Sequence, residues 1–295
     1  MKVLMVGSRG QVGSLLSSQL LQAGFETAAL NSQELDISSI ESVMSWQSWQ
    51  PELIINAAAY TAVDLAESEP EKAFQVNEAG LENLLLLAQS CDCPIFNIST
   101  DYVFDGSSVR PYMESDPVSP LGIYGRSKRA GEVKLENADH PYINIRTSWV
   151  FGENGNNFVK TMLRLGRQHE TLNVVADQYG CPTYAGDIAN VLVTLAEKLR
   201  AGEDLYWGHF HYSGAEQVSW HGFAQFIFQQ AVRAGQITRE PVVNPISTEQ
   251  YPTAAARPAY SVLDTAEINK RYNIEPSNWK IAVRELMQKL EVPSY

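Results

Sequence analysis

Short apolar runs alternate with longer segments of helical periodicity along the first half of the chain. The runs KVLMV, ELIINAA, PIFNIS and YINIRTSWV predict buried strands. Between them, QVGSLLSSQLLQAG and EPEKAFQVNEAGLENLLLLAQS place apolar residues on one helical face, and Pro70 suits the first turn of the second helix. Strands that alternate with helices indicate a parallel sheet covered by helices. We therefore predict the α/β class, with a doubly wound parallel sheet.

The regular alternation weakens after about residue 150. NNFVKTMLRLGRQ and VSWHGFAQFIFQQAVRAG predict two further amphipathic helices, the second capped by Ser219, and NPISTEQYPTAAARPAYSVLD predicts a long irregular segment. We expect residues 1–150 to form the sheet domain, with later segments returning to it at about 180–200 and 245–265. The remainder of 151–295 is expected to form a smaller C-terminal lobe, with a cleft between the two.

A glycine-rich turn joins the first predicted strand to the first predicted helix. VLMVGSRGQVGSLL places Gly7, Gly10 and Gly13 there. Glycines at such a junction permit a tight turn, close approach of the backbone to a pyrophosphate and close packing of helix on strand. The N-terminus of the helix offers free N–H groups to the phosphates. This position at the start of a βα unit predicts a dinucleotide-binding domain of the Rossmann type.

The residues after the second strand bear on the choice of dinucleotide. An acid about 20 residues after the glycines would bind the 2′-OH of NAD. Here ETAALNSQ leaves Asn31 and Ser32 at the end of the strand, and Asp36 comes later, where we expect it to face the adenine. Arg9 lies inside the glycine turn, from which it could reach a 2′-phosphate. NADPH is therefore favoured, with NADH as the alternative.

The segment YGRSK places Tyr124 and Lys128 on one face of a predicted helix. An ammonium beside a phenol stabilises the phenolate, so we expect Lys128 to lower the pKa of Tyr124. Thr100 ends the strand in PIFNISTDYVF, at the edge of the sheet where ligands bind in such folds. A hydroxyl that orients a carbonyl, a phenol that protonates it and a cation that tunes the phenol indicate reduction of a carbonyl by a dinucleotide.

Composition excludes several other classes of protein. The chain has 295 residues and a net charge of −12, with 34 acidic against 22 basic residues, which argues against a nucleic-acid partner. Cys91, Cys93 and Cys181 are too few for a disulfide framework or a zinc site, so we expect no metal. We find neither a signal peptide nor an apolar stretch of ~18 residues that could span a bilayer. A soluble, cytoplasmic protein without a membrane partner is expected.

Several segments in the same order resemble the extended short-chain dehydrogenase/reductase family. They are the glycine turn, NAAAYTAVDLAESEP, STDYVF, YGRSK and RTSWVFGENGNNF, and the likeness continues through DQYGCPT and ARPAYSVLDT over nearly the whole chain. Within that family, the chain is most similar to reductases that use NADPH to convert dTDP-4-dehydro-L-rhamnose to dTDP-L-rhamnose. The resemblance implies an oxidoreductase of polysaccharide biosynthesis whose substrate is a dTDP-4-keto-6-deoxysugar.

The resemblance also implies roles for individual residues. Tyr124 would be the general acid, Lys128 its modulator and a ligand of the cofactor ribose, and Thr100 the hydroxyl beside the C4 ketone. The expected cofactor-binding residues, besides Tyr124 and Lys128, are Gly7, Arg9, Gly10, Gln11, Val12, Gly13, Asp36, Ile37, Ala57, Ala58, Ala59 and Thr61.

The expected contacts with the substrate lie further along the chain. Asp101 and Trp149 would touch the sugar, although packing in the core is an equal alternative for Trp149. Arg257 is the candidate for a clamp on the substrate diphosphate, because a guanidinium fork matches phosphate oxygens. Asn157 and Gln178 are further candidates for polar contacts.

Two departures from the family pattern narrow the expectation, and two rival functions stay open. Some members dimerise around a magnesium ion held by glutamates near the first helix, but Ser14 and Leu15 stand there, so we expect a monomer or a weak homodimer. Dehydratases carry an Asp-Glu pair after the threonine, whereas Tyr102 follows Asp101 here. The rivals are another NDP-4-keto-6-deoxysugar reductase or epimerase, and a non-catalytic regulatory subunit of the methionine adenosyltransferase type.

Overall fold

The computed structural model describes residues 1–290, with a six-stranded parallel sheet at its centre. The strands are β1 Lys2–Val6, β2 Glu26–Leu30, β3 Leu53–Asn56, β4 Ile95–Thr100, β5 Tyr142–Thr147, β6 Val150–Phe151, β7 Thr171–Val175, β8 Tyr179–Gly180, β9 Thr183–Tyr184, β10 Gly208–His211, β11 Val218–Ser219 and β12 Val242–Ile246. The helices are α1 Gln11–Gln22, α2 Ile40–Met44, α3 Val63–Ala66, α4 Pro70–Phe74, α5 Gly80–Ser90, α6 Ile123–Asn137, α7 Phe158–Gln168, α8 Ala185–Arg200, α9 Trp220–Arg233, α10 Ala266–Tyr272 and α11 Trp279–Lys289.

The strand order of the central sheet is β10-β5-β4-β3-β1-β2, and each neighbouring pair is parallel. The chain winds from β1 to one side and then returns to β3 on the other side, so its direction of winding reverses between β1 and β3. Ligands of such sheets bind at the carboxyl ends of the strands at this point. Val6 pairs with both Leu30 and Asn56, which places the ends of these three strands side by side. The predicted doubly wound sheet of the Rossmann type is confirmed.

Helices bury both faces of the sheet. On one face, α1 and α8 pack against a core that includes Met5, Ile55 and Ile145, all fully buried. On the other face, α2, α5 and the end of α6 cover Leu4 and Ile54. Strands that are buried on both faces are mostly apolar, which is why apolar runs located them in the sequence. Within residues 1–290, no helix combines the length and the apolar character needed to cross a membrane.

A second apolar core lies beside the sheet domain. Residues of α7, α9 and α11 form it together with β6 and β7, and Phe151, Phe223 and Leu286 are buried in it. We propose that this core defines the smaller lobe. Helix α8 belongs to the core of the sheet domain, whereas β12 pairs with β7 in the second lobe. Of the expected returning segment 245–265, the second half contacts the sheet domain: Ala255 and Arg257 bond Asp64, and Tyr112 pairs with Leu263.

Three predicted elements differ from the observed ones. The predicted strand YINIRTSWV is divided, because Trp149 has a φ of +48° and turns the chain out of the sheet after β5. The residues NPI, which we predicted to be irregular, end β12. The predicted helix over 70–90 contains a π-helical turn, Gln75–Ala79, in which the Asn77 side chain accepts the N–H of Tyr60 at 2.9 Å.

Candidate active site

The glycine turn packs so closely that side chains at two of its positions would collide with the backbone. Gly7 has a φ of +86°, and a Cβ there would lie less than 3.0 Å from the backbone of Ala57 and Ala58. A Cβ at Gly13 would overlap the carbonyl group of Gly7. The turn therefore keeps the N-terminus of α1 open and close to the end of β3. This is the geometry that a dinucleotide pyrophosphate requires.

Two cavities meet at this turn. The first, which we call the glycine-turn cavity, has a volume of about 330 Å³. Expected cofactor residues that line it are Gly7, Arg9, Gly10, Asp36, Ile37, Ala57, Ala58 and Ala59, joined by Asn31 and Ser32. The second, the central cavity, has a volume of about 610 Å³. Gly10 and Ala57–Ala59 line it too, so the two cavities form one continuous cleft over the sheet edge.

The structure brings the predicted catalytic residues together in the central cavity. Tyr124 lies in the first turn of α6, Lys128 lies one turn later, and Thr100 is the last residue of β4. The other expected site residues that line this cavity are Gln11, Val12, Thr61, Asp101 and Trp149. Gly13 lines neither cavity and acts through its close packing against Gly7.

Burial controls the proton affinities of Tyr124 and Lys128. Burial raises the pKa of Tyr124 to about 12, with the Thr100 hydroxyl acting in the opposite direction. The expectation that Lys128 lowers the pKa of this phenol is wrong for the chain alone, because the desolvation of the phenolate dominates. The Lys128 ammonium donates to the Ile98 carbonyl at 2.6 Å. Burial lowers the pKa of Lys128 to about 8, against the attraction of Glu132.

Thr100 and Asp101 form a local hydrogen-bonded turn at the end of β4. The Thr100 hydroxyl donates to Asp101 Oδ1 at 3.0 Å and accepts the N–H of Tyr102 at 3.2 Å. Asp101 is 2% exposed, and burial raises its pKa to about 6. Within the described residues, its Oδ2 atom and the Thr147 hydroxyl have no hydrogen-bond partner. Buried polar atoms without a partner are rare in folded proteins, so these two require an explanation.

Trp149 combines the two alternatives that its sequence position left open. Its ring stacks on that of Trp220, with centroids 3.4 Å apart and planes within 4°. Both rings also line the central cavity. The positive φ of Trp149 is what turns the indole from the sheet toward the cleft. The residue is therefore packed and is placed to contact a ligand.

A third cavity, which we call the Arg257 cavity, adjoins the central one and has a volume of about 440 Å³. Arg257 lines it and forms a bidentate ion pair with Asp64, at 2.7 and 3.1 Å. Gln178 also lines it, while its amide donates to Thr248. Asn157 lines none of the three cavities, because its side chain caps α7 by accepting the N–H of Lys160. Asn157 thus has a structural role, and the polar ligand contact that we expected there stays a prediction.

Tyr102 and Trp220, which we did not predict, line both the central cavity and the Arg257 cavity. Tyr102 packs edge-on against Tyr124, with ring centroids 5.6 Å apart. Tyr102 directly follows the predicted residue Asp101, so its place after a strand was an available signal. The sequence holds no comparable signal for Trp220, which reaches the cleft from the first turn of α9 in the second lobe.

Three potential metal ligands, Glu132, Glu136 and His209, lie within 4.8 Å of one another. Arg129 pairs with both carboxylates, and Arg146 pairs with Glu132. Two guanidinium groups thus already neutralise the acids. A divalent cation at this cluster would have to displace at least one of them.

Close packing of α6 against the end of β4 holds Tyr124 in place. A Cβ at Gly125 would overlap the carbonyl oxygen of Tyr102. We expect Gly125→Ala to lower the thermal midpoint by roughly 5 °C, because overpacking costs about 1–3 kcal/mol. Arg126→Ala, at the neighbouring exposed position, is the matched control and should leave the midpoint within about 1 °C. An unchanged midpoint for Gly125→Ala in differential scanning calorimetry would contradict this packing.

Comparisons with known proteins agree over the whole length of the chain. Residues 1–292 match the family described as RmlD substrate binding domain. A dTDP-4-dehydrorhamnose reductase of Aggregatibacter actinomycetemcomitans is 46% identical over 287 residues, 97% of this chain and 98% of that protein. The structure of dTDP-4-dehydrorhamnose reductase from Bacillus anthracis str. Ames in complex with NADP is 35% identical, with a TM-score of 0.90 over 98% of this chain and 99% of that one. A UDP-glucose 4-epimerase of Thermotoga maritima, 18% identical with a TM-score of 0.81, covers 98% of both chains and shares the fold alone.

Proposed function

Since the chain belongs to the RmlD substrate binding domain family, we propose that it reduces the C4 ketone of dTDP-4-dehydro-L-rhamnose to dTDP-L-rhamnose with NADPH. The observation that carries this proposal is the meeting of Thr100, Tyr124 and Lys128 in one cavity that continues into the glycine turn. A relative that is 46% identical carries the name of this reductase. The chain is accordingly an oxidoreductase of dTDP-rhamnose biosynthesis.

The cleft fits NADPH. Gly7 and Gly10 line the glycine-turn cavity without adding side chains to it, and no side chain caps the N-terminus of α1 beside them. Arg9 at the glycine-turn cavity supplies a cation for the 2′-phosphate of NADPH. Asn31 and Ser32 line the same cavity at the end of β2, where an acidic side chain would repel that phosphate. When bound, NADPH supplies the hydride that reduces the ketone. Lys128, which lines the central cavity, would hold the ribose next to the nicotinamide with its ammonium.

The residues around the ketone supply the proton and the orientation. At neutral pH the Tyr124 phenol is protonated, because its pKa is about 12. It can therefore donate its proton to the alkoxide that forms at C4. The Thr100 hydroxyl, which donates to Asp101 in this structure, must turn toward the ketone oxygen to orient it.

The rest of the cleft fits a sugar nucleotide. Asp101 and Thr147 line it with polar side chains that can face the hydroxyl groups of the sugar, and Trp149 offers an apolar wall. Arg257 can bind the diphosphate if its fork exchanges Asp64 for phosphate oxygens. The nucleoside then lies in the Arg257 cavity, which Phe158, Tyr251 and other apolar residues line. Aromatic rings of this kind stack on a pyrimidine base.

The charge of Lys128 makes reduction dependent on pH. As pH rises through about 8, Lys128 loses its proton, whereas Tyr124 keeps its own until about 12. The neighbouring acids Glu132 and Asp101 are ionised throughout this range, since their pKa values are about 2 and about 6. We expect kcat/KM for reduction to fall tenfold per unit above about pH 8. A profile that stays flat to about pH 10 would show that the charge of Lys128 is not required.

Two rivals remain to be separated from the reductase. An epimerase of the same fold would turn over its substrate without net consumption of NADPH. A regulatory subunit of the methionine adenosyltransferase type would bind the dinucleotide without any turnover. The three residues Thr100, Tyr124 and Lys128 favour an enzyme, because a binding subunit needs no proton donor in its cleft.

One assay separates these three functions. The chain is mixed with NADPH and a panel of 4-keto-6-deoxysugar nucleotides that differ in base and in sugar configuration, and NADPH absorbance is followed. We expect stoichiometric oxidation with dTDP-4-dehydro-L-rhamnose and slower oxidation with the UDP analogue. Conversion of substrate without oxidation indicates the epimerase. Binding of NADPH without conversion of any substrate indicates the regulatory subunit.

A further inference from the structure

Three buried asparagines lie side by side across the central sheet. Asn56, Asn97 and Asn144 are partners in the register of β3, β4 and β5, and none is more than 3% exposed. Asn56 Nδ2 donates to Asn97 Oδ1 at 2.8 Å, and Asn97 Nδ2 donates to Asn144 Oδ1 at 2.6 Å. We call these three residues the amide chain. Strands in the middle of a parallel sheet are normally apolar, so three linked amides here require an explanation.

The two ends of the amide chain contact the catalytic helix and the cofactor cleft. At one end, Asn144 Nδ2 donates to Glu132 Oε1 at 3.1 Å, and Glu132 lies on α6 one turn after the catalytic lysine. At the other end, Asn56 Oδ1 accepts the backbone N–H of Ala58 at 3.0 Å. Ala58 lines both the glycine-turn cavity and the central cavity. The amide chain therefore links Glu132, a buried acid of α6, to the floor of the cofactor cleft.

Every amide in this chain donates in the same direction, toward Glu132. Glu132 is fully buried, and Arg146 donates to its two oxygens at 2.9 and 2.8 Å. Burial alone would raise the pKa of this carboxyl, but the hydrogen bonds and charge of Arg146 prevail and lower the pKa to about 2. An ionised carboxylate only accepts hydrogen bonds. Asn144 must then turn its NH2 group to Glu132 and its oxygen to Asn97, and each following amide is oriented in the same way.

We propose that the amide chain positions the loop after β3, which contains Ala58 and forms the floor of the cofactor cleft. Glu132 orients Asn56 through Asn144 and Asn97. Asn56 in turn holds Ala58 in the conformation that accepts the dinucleotide. If the Asn56 amide rotated by half a turn, its NH2 group would face the N–H of Ala58, and two donors would stand opposite each other. The loop has no room to adjust, because the backbone of Ala58 lies against Gly7. A rotated amide would therefore displace the floor of the cleft.

This inference rests on the proposed function, because it assumes that a dinucleotide lies over Ala58. The asparagines touch neither the substrate nor the reacting atoms, so they are positioning residues. Their loss should weaken the binding of NADPH and leave the chemical step at saturating NADPH nearly unchanged. A residue that served stability alone would produce no such separation.

Two substitutions of Asn97 separate positioning from stability. Asn97→Leu removes the middle link and frees Asn56 to rotate. Asn97→Asp retains, in either protonation state, an oxygen that accepts from Asn56 Nδ2, so Asn56 keeps its orientation. Both variants should lower the thermal midpoint, since each disturbs buried polar groups.

The readout is the Kd of NADPH, measured by fluorescence titration of the full chain. We expect the Kd to rise about tenfold in Asn97→Leu and less than about twofold in Asn97→Asp, with kcat at saturating NADPH within about threefold of wild type in both. Equal changes of Kd in the two variants would overturn the inference, and so would an unchanged Kd in Asn97→Leu.

Asn97→Val replaces the leucine variant if that variant does not fold. Whichever of these two variants is used, a rise of about tenfold in the Kd of NADPH for Asn97→Asp would by itself overturn the inference. Failure of the wild-type chain to bind NADPH is a different result, because it contradicts the proposed function and removes the premise of the inference with it.

Discussion

Tyr124→Phe is expected to lower kcat by about 10²–10⁴-fold while the Kd of NADPH stays within about threefold of wild type. The substitution removes one oxygen atom and leaves the ring, which packs edge-on against Tyr102. Because burial keeps the phenol of Tyr124 protonated well above neutral pH, this group is the proton donor that the cavity offers to a C4 alkoxide. Its loss leaves proton transfer to water, which is not held in position as the phenol is.

Tyr102→Phe is the matched control for this experiment. It removes a second phenol that lines the same cavity, so it tests whether any loss of a buried hydroxyl has the same effect. We expect Tyr102→Phe to change kcat by less than about tenfold. Stopped-flow measurement of NADPH oxidation in a single turnover gives the chemical step directly. A Tyr124→Phe variant with full activity would rule out the assignment of the general acid.

Lys128→Met is expected to lower kcat by about 10²-fold and to raise the Kd of NADPH about tenfold, without loss of stability. In the proposed function one ammonium supports proton transfer from Tyr124 and also holds the ribose, so both constants should change. Lys128 is 5% exposed, and its pKa in the folded chain, about 8, lies below the ordinary value of 10.5. The protonated lysine therefore opposes folding at neutral pH, and this opposition disappears as pH rises from about 8 to 10.5.

Methionine fills a similar volume without a charge, so the free energy of unfolding of Lys128→Met at neutral pH should equal or exceed that of wild type. Urea denaturation monitored by circular dichroism measures it. A gain in stability joined to a loss of activity is typical of a residue kept for function. A variant that is both less stable and still active would show that Lys128 is a structural residue of α6.

Most of the fold could be predicted from the sequence, because its dominant signals are local. A strand buried on both faces leaves a mostly apolar run, and the glycine turn follows the first of these runs directly. Pro70 and Ser219 begin their helices as predicted, because the free N–H groups of a first turn suit proline and a capping hydroxyl. Most of the expected cofactor and catalytic residues line the cleft for the same reason, since many of them lie near the end of a predicted strand or the start of a predicted helix.

The remaining features depend on contacts between distant segments. Trp149 lies in an apolar run that predicts a continuous strand, but its own left-handed backbone conformation turns it away from the sheet. Trp220 enters the cleft only because the second lobe packs beside it. The pKa of Tyr124 follows from burial, which the spacing of Tyr124 and Lys128 does not reveal. Asn97 is a polar residue within an otherwise apolar part of β4. Its place in the amide chain becomes visible only in the register of the sheet, where it lies beside Asn56.

Transfer of deuterium from NADPH labelled at C4 of its nicotinamide ring tests the account most directly. The chain is incubated with dTDP-4-dehydro-L-rhamnose and, in separate reactions, with cofactor labelled on either face of the ring. Nuclear magnetic resonance then locates the label in the product. We predict that one of the two labelled cofactors gives dTDP-L-rhamnose with a single deuterium at C4 of the sugar. Label at any other carbon, or product formed without label from both cofactors, would contradict direct hydride transfer to the ketone between Thr100 and Tyr124.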